Sequence, residues 1–112
     1  MDRRQIQPFK TRLEARQHEL RLSIEHRKLH VRSAEAEPDS VDQASSGYEK
    51  ASLFQTSDRD RQLLQMIESA LARIRDGSYG NCEACHREIG TGRLQAVPWT
   101  PYCIRCQEEF ER

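Results

Sequence analysis

Apolar residues are sparse in the first third of the chain, and they recur at helical intervals. Ile6, Leu13, Leu20, Ile24 and Val31 follow one another at steps of seven, seven, four and seven, with Arg, Glu, Gln, His and Lys on the other faces. A stripe this narrow predicts a long helix whose apolar side is a seam rather than a broad core face. The run stops at AEAEPDS, because Pro38 disfavours a helical backbone at Glu37. The pattern returns with Leu53, then with Leu64, Ile67, Leu71 and Ile74 at steps of three, four and three; Asp76-Gly77 closes it with a glycine suited to the left-handed C′ position. Two helices of about 30 residues are expected, each about 45 Å long. If the chain reverses near Val41, residues equidistant from it face each other, so Leu64 and Ile67 approach Leu20 and Leu13, and Ile74 approaches Ile6 and Phe9. The predicted fold is mainly α: a long antiparallel two-helix coiled-coil hairpin over 1–77, with a thin seam toward an exposed tip at about 36–47.

The start of the second helix has two readings. Asp39 or Asp42 can N-cap it early, or Ser46 with Glu49 three residues on can form a capping box. On either reading PDSVDQA sets two carboxylates beside a helix-breaking proline at an exposed bend, where local sequence alone is equally consistent with helix caps and with a functional tip.

Composition then asks what holds the remainder together. At 112 residues, with 36% hydrophobic and 32% charged, the chain has little material for a compact core, and small scaffolds of this kind need a staple. The four cysteines supply one. CEAC at 82–85 and CIRC at 103–106 are two C-x-x-C knuckles with 17 residues between the inner cysteines. Such a pair brings Cys82, Cys85, Cys103 and Cys106 to one tetrahedral centre, which suits a single structural zinc ion. A redox reading of one pair leaves the other unexplained and lacks a βαβ context. A closed four-sulfur shell has no open position for metal catalysis. The segment is expected to fold around the metal with Ile89, Leu94, Val97 and Trp99 packed nearby, giving a zinc-finger module at 78–112 that ends in a short helix, QEEFER, with Phe110 folding back.

Other features exclude more than they propose. Eighteen basic and eighteen acidic residues cancel, so no strong field draws the chain to nucleic acid or an anionic membrane. MDRRQIQPFK has no signal-peptide core and no window is long and apolar enough for a membrane span, so a cytoplasmic protein is expected. His86 adjoins Cys85, but the cysteines complete the shell; His26 and His30 share a helix face at i, i+4 without a third ligand. IGTGR lacks the strand and the Lys-Ser/Thr of a phosphate loop, so Gly90 and Gly92 are read as turn residues. An enzyme built on Asp39 and Asp42 would need an enclosing pocket. The alternative function, a zinc-ribbon module that binds nucleic acid or another protein, has only Arg87, Arg93 and Arg105 with Trp99, Tyr79 and Tyr102 to draw on, against Glu83 and Glu88.

An exposed hairpin with an acidic tip and a four-cysteine module at its base resembles the DksA/TraR family of zinc-finger RNA polymerase regulators. DSVDQA at 39–44 matches that family's Asp-x-x-Asp-x-Ala tip, and YGNCEAC…EIGTGRLQAVP…CIRCQ at 79–107 is similar to its zinc-finger signature. The resemblance implies a bacterial transcription regulator that binds RNA polymerase directly and makes no sequence-specific contact with DNA. It implies a hairpin inserted in the polymerase's secondary channel, with Asp39, Asp42 and Ala44 as the functional tip. It further implies modulation of open-complex stability and initiation, with ppGpp bound at the regulator–polymerase interface, as in the stringent response. Longer members carry an additional N-terminal segment where few residues precede the first helix here. Arg27, Lys28, Arg32, Arg59 and Arg61 form basic flanks near the tip, of which Arg59 and Arg61 are the candidate polymerase contacts.

Overall fold

The structure, a computed structural model, describes the backbone of residues 1–36 and 43–112 and the side chains of residues 1–29 and 58–112. Four helices follow in order: α1 Arg3–Ala36, α2 Gln43–Asp76, α3 Thr91–Ala96 and α4 Ile104–Phe110. The chain is mainly helical, as the periodicity predicts, and among the described residues strand pairing is confined to one isolated bridge, Asn81 with Glu88.

α1 begins three residues before the first apolar position, for a local reason. The Gln5 N–H donates to Asp2 Oδ1 at 2.9 Å and the Asp2 N–H donates to Gln5 Oε1 at 3.1 Å, a reciprocal box that satisfies two donors left over at a helix start. Pro8 lies inside the helix and, lacking an N–H, removes one helical hydrogen bond. α2 ends as the glycine predicts: Gly77 has φ 86°, and the Arg73 carbonyl accepts from the N–H groups of Gly77, Ser78 and Tyr79 at 2.9, 3.0 and 3.2 Å. The bond from Ser78 is the six-to-one contact of a Schellman motif. The Ser78 hydroxyl and N–H also donate to Asp76 Oδ1 at 2.6 and 2.9 Å, holding that carboxyl below its usual range. Because α2 starts at Gln43, Ser46 and Glu49 lie within it and do not open it. Asp39 and Asp42 lie outside the described residues, and Ala44 is in α2 with its side chain outside them.

Two compact units are present. The first joins Met1–Gln17 to Gln65–Arg112; the second is His18–Leu64. In the first unit the seam residues Leu13 and Ile67 are 1% and 0% exposed, each stabilising by roughly 2 kcal/mol through burial. They share a core with Phe9, Ala70, Leu71, Tyr79, Ile89 and Leu94. In the second unit Leu20 and Ile24 are buried, Leu63 and Leu64 are half-buried, and Arg27 pairs with Asp60 across the two helices. A reversal symmetric about Val41 would level Arg27 with Gln55. Arg27 reaches Asp60 instead, more than a turn further along α2.

Gly92 corrects one expectation. Gly90 is a turn residue with φ 98°, but Gly92 lies within α3. Leu94 on that helix is 2% exposed, and its burial outweighs the low helix propensity of glycine.

Candidate metal centre

The two knuckles are built by different local devices. In the first, the His86 N–H donates to the Cys82 carbonyl at 2.9 Å and the Cys82 N–H to the Arg87 carbonyl at 2.8 Å. The chain turns back through His86 at φ 64°, a left-handed conformation rare outside glycine. The returning strand is held by the Ile89 N–H on the Gly80 carbonyl at 2.8 Å. In the second, Cys103 is the N-cap of α4, and its sulfur accepts from the Cys106 N–H at 3.5 Å. That bond satisfies one of the backbone donors left over at the start of the helix.

Folding brings the four sulfurs together within 4.8 Å of one another. Cys85 Sγ and Cys103 Sγ are 3.8 Å apart, far beyond the roughly 2.05 Å of a disulfide. A tetrahedron with metal–sulfur bonds of about 2.3 Å has an edge of about 3.8 Å, so the spacing fits one zinc ion. The protonation pattern agrees. Burial pushes the Cys82 thiol up, but hydrogen bonds from the backbone of Cys103, Cys85 and Ala84 outweigh it and bring the group down to about 6. Cys106 is pushed up to about 12 by its hydrogen bond with Cys103 and by burial. The Cys82 thiolate thus forms readily while Cys106 holds its proton, and a bound dication favours the deprotonated form of its ligands. Cys82 and Cys106 face the interior, and Cys85 faces solvent.

The sequence pattern does not reveal what braces this centre. Arg73, 7% exposed, sends Nη1 to Glu83 Oε1 and Nη2 to the Trp99 carbonyl, both at 3.4 Å. One side chain therefore touches the first knuckle and the segment leading to the second. Arg93 donates from Nε to the Tyr102 carbonyl at 3.1 Å and from Nη2 to Thr100 Oγ1 at 3.3 Å, fixing the approach to Cys103. Arg12 Nη1 donates to the Gln95 carbonyl at 3.0 Å, tying α1 to the end of α3. Tyr79, 3% exposed, donates its hydroxyl to the Pro98 carbonyl at 2.8 Å and sets its ring 5.9 Å from that of Phe9. Ile89 and Leu94 are buried as expected, while Val97 and Trp99 are partly exposed. Phe110 returns to the module, its ring edge-on to Tyr102 at 4.8 Å.

These contacts weaken the nucleic-acid reading. Of its residues, Arg93 is spent on Thr100 and Tyr102 and Tyr79 is buried, which leaves Arg87 and Arg105 exposed in a cleft they share with the carboxylates of Glu88 and Glu109. His86 and His26 are exposed; the side chain of His30 lies outside the described residues.

Two family descriptions match in sequence order: DnaK suppressor protein DksA, N-terminal domain, over residues 5–74, and prokaryotic dksA/traR C4-type zinc finger over 77–112. The chain belongs to the DksA/TraR family. A DksA of Caulobacter vibrioides, named an RNA polymerase-binding transcription factor, is 37% identical over 100% of this chain and 80% of its own length. The Escherichia coli K12 DksA, with the same name, is 35% identical over 96% of this chain and 72% of its own length. The solved structure of transcription factor DksA2 from Pseudomonas aeruginosa has a TM-score of 0.89 at 32% identity, over 99% of this chain and 86% of that one. The DnaK suppressor protein of Agrobacterium tumefaciens has a TM-score of 0.60 at 33% identity. A C4-type zinc finger in this DksA/TraR chain accords with the four clustered sulfurs, which hold one structural zinc ion. No helix among the described residues is long and apolar enough to cross a membrane.

Proposed function

We propose that this chain is a cytoplasmic transcription regulator that binds RNA polymerase directly. The observation that carries the reading is the match of both family parts, in order, together with near full-length likeness to the solved DksA2. The hairpin enters the secondary channel, and Asp39, Asp42 and Ala44 form its tip. In that channel the two carboxylates meet cationic groups and catalytic magnesium in a lower dielectric than water, where each contact is stronger. Ala44 keeps the tip narrow. Arg59 and Arg61, both exposed on α2, contact the polymerase outside the tip. The zinc module is the docking base, and with four cysteines on one ion it offers no open coordination position. Its role is binding rather than catalysis.

Such a regulator acts by binding two polymerase states unequally, because a ligand shifts an equilibrium only by its differential affinity. The states concerned are those that govern open-complex lifetime, with ppGpp as a second ligand at the shared interface. The test is abortive transcription by the host polymerase from a ribosomal RNA promoter, with and without ppGpp, at matched polymerase occupancy. Wild-type chain is expected to inhibit, and Asp42→Asn to bind equally while losing about tenfold or more of that inhibition. Absence of polymerase binding when DNA is left out would overturn the proposal.

A further inference from the structure

The seam of the second unit contains charges where its repeat calls for apolar residues. Within it, Leu20, Ile24 and Arg27 on α1 are buried or half-buried at steps of four and three, and Asp60 and Leu64 on α2 are half-buried four residues apart; the same steps continue in the first unit through Leu13 and Gln17 on α1 and through Ile67, Leu71 and Ile74 on α2. Arg27 and Asp60 are thus seam positions of two facing heptad patterns. Their side chains are only 25% and 18% exposed, and they pair directly, Nη1 to Oδ2.

We propose that Arg27 and Asp60 are a register device, whose function is to fix how α1 and α2 align in the second unit. Positioning of the tip residues for polymerase is the consequence, and that consequence rests on the function proposed above. Stability alone does not explain the pair. Two partly desolvated charges stabilise a seam no better than two well-packed leucines, whereas separating them leaves each charge facing apolar surface. The heptad spacing of the sequence makes the choice of partner unique. Counted in sequence, the positions at heptad spacings from Asp60 hold Leu53, Ser57, Leu64 and Ile67, and those from Arg27 hold Leu20, Ile24 and Val31. None of these carries a charge. A slip of one heptad therefore strands both Arg27 and Asp60, while the leucines and isoleucines around them would tolerate it. A seam with few apolar residues has weak shape specificity, and one matched polar pair restores it.

The test measures alignment directly. Spin labels are attached through genetically encoded ketone residues at Glu25 and Asp58, both exposed, and the distance distribution is recorded by pulsed electron spin resonance. The zinc-loaded chain is compared with the double variants Arg27→Leu/Asp60→Leu and Arg27→Asp/Asp60→Arg, with helicity and melting read alongside. The wild type is expected to give one narrow distance. The leucine pair is expected to melt no lower yet show a broadened distribution with a second population, because a one-heptad slip moves one helix about 10 Å along the other. The charge swap is expected to recover the single distance. In the unlabelled chains, the leucine pair should keep polymerase binding and lose about fivefold of the inhibition at saturation, with the swap restoring it. A leucine-pair variant with the wild-type distance distribution would sink the proposal. If that variant does not fold, Arg27→Gln/Asp60→Asn preserves shape and removes the charges, and the same distribution decides. The distance measurement needs no polymerase, so a wild type that fails to bind polymerase would overturn the function while the register result stood by itself.

Discussion

Tyr79 meets two requirements: its ring fills the space beside Phe9, and its hydroxyl must reach Pro98. Ionising it would leave a buried phenolate, so burial pushes its pKa up to about 12 despite the opposing influence of Arg73 and Arg12. The folded value is above the unfolded value of about 10. The native state therefore holds the proton more tightly, and the contribution is complete below about pH 10 and is lost as pH rises toward 12. Tyr79→Phe is expected to cost about 1 kcal/mol at neutral pH through the lost hydrogen bond, and to flatten the alkaline decline in stability between pH 10 and 12 in urea titrations. His86 offers the opposite case, since its left-handed backbone is forced on a residue with a Cβ. His86→Gly is expected to relieve roughly 1 kcal/mol and raise the urea midpoint with zinc content unchanged. Neither residue announced its role in the sequence. Gly77 did, because a glycine after an apolar repeat has one economical reading, whereas the strain at His86 depends on a turn that exists only after the knuckle closes.

At the scale of elements, the knuckles and the two long helices were legible because their signals are spacings. Cysteines at two-residue intervals and apolar residues at three and four survive any tertiary context. The supporting contacts were not, because Arg12, Arg73 and Arg93 act on backbone carbonyls distant in sequence, and an arginine in a helix reads as a solvated charge until its partner is known. Asp2 and Gln5 had the spacing of a capping box but stood outside the apolar run that sets where one looks. α3 escaped because Gly92 argues locally against a helix. Arg73 makes the coupling between elements measurable. Replacing it with Met keeps the stem and removes the contacts to Glu83 and Trp99, so zinc transfer to a chelator is expected to be about tenfold faster, as for other supports of metal ligands, with helicity nearly unchanged by circular dichroism. Removing the metal itself should go further. Hydrogen exchange at Cys82, Ile89 and Leu94, whose N–H groups close the module, is expected to lose protection, because the free energy of zinc binding is folding free energy here. Unchanged protection in the metal-free chain would contradict that linkage.

For the whole molecule, the balance of eighteen basic and eighteen acidic residues makes local charge decisive for association. Arg59 and Arg61 are exposed one residue either side of the seam position held by Asp60, so they project where a partner can reach them. Arg59→Ala with Arg61→Ala is expected to weaken polymerase binding by about tenfold, mainly through slower association, and to flatten its dependence on salt. An unchanged affinity at both low and high salt would remove these residues from the interface. The sequence made the helices' existence plain but not their alignment, since a repeat of leucines specifies which sides meet and leaves open how far one helix is shifted along the other.

The first compact unit assembles Met1–Gln17 with Gln65–Arg112, and this fixes an order of events during synthesis. As the chain leaves the ribosome, Phe9, Leu13 and Arg12 emerge early, but Tyr79, Ile67 and Gln95 must follow before those residues have anything to pack on. At about 5–20 residues per second, the first helix waits several seconds with its apolar seam uncovered. The final cysteine completes the metal shell only after both long helices and the first knuckle have appeared, so zinc capture follows their synthesis. A shortage of available zinc would then be felt by finished but unassembled chains, making metal supply a control on how many molecules mature.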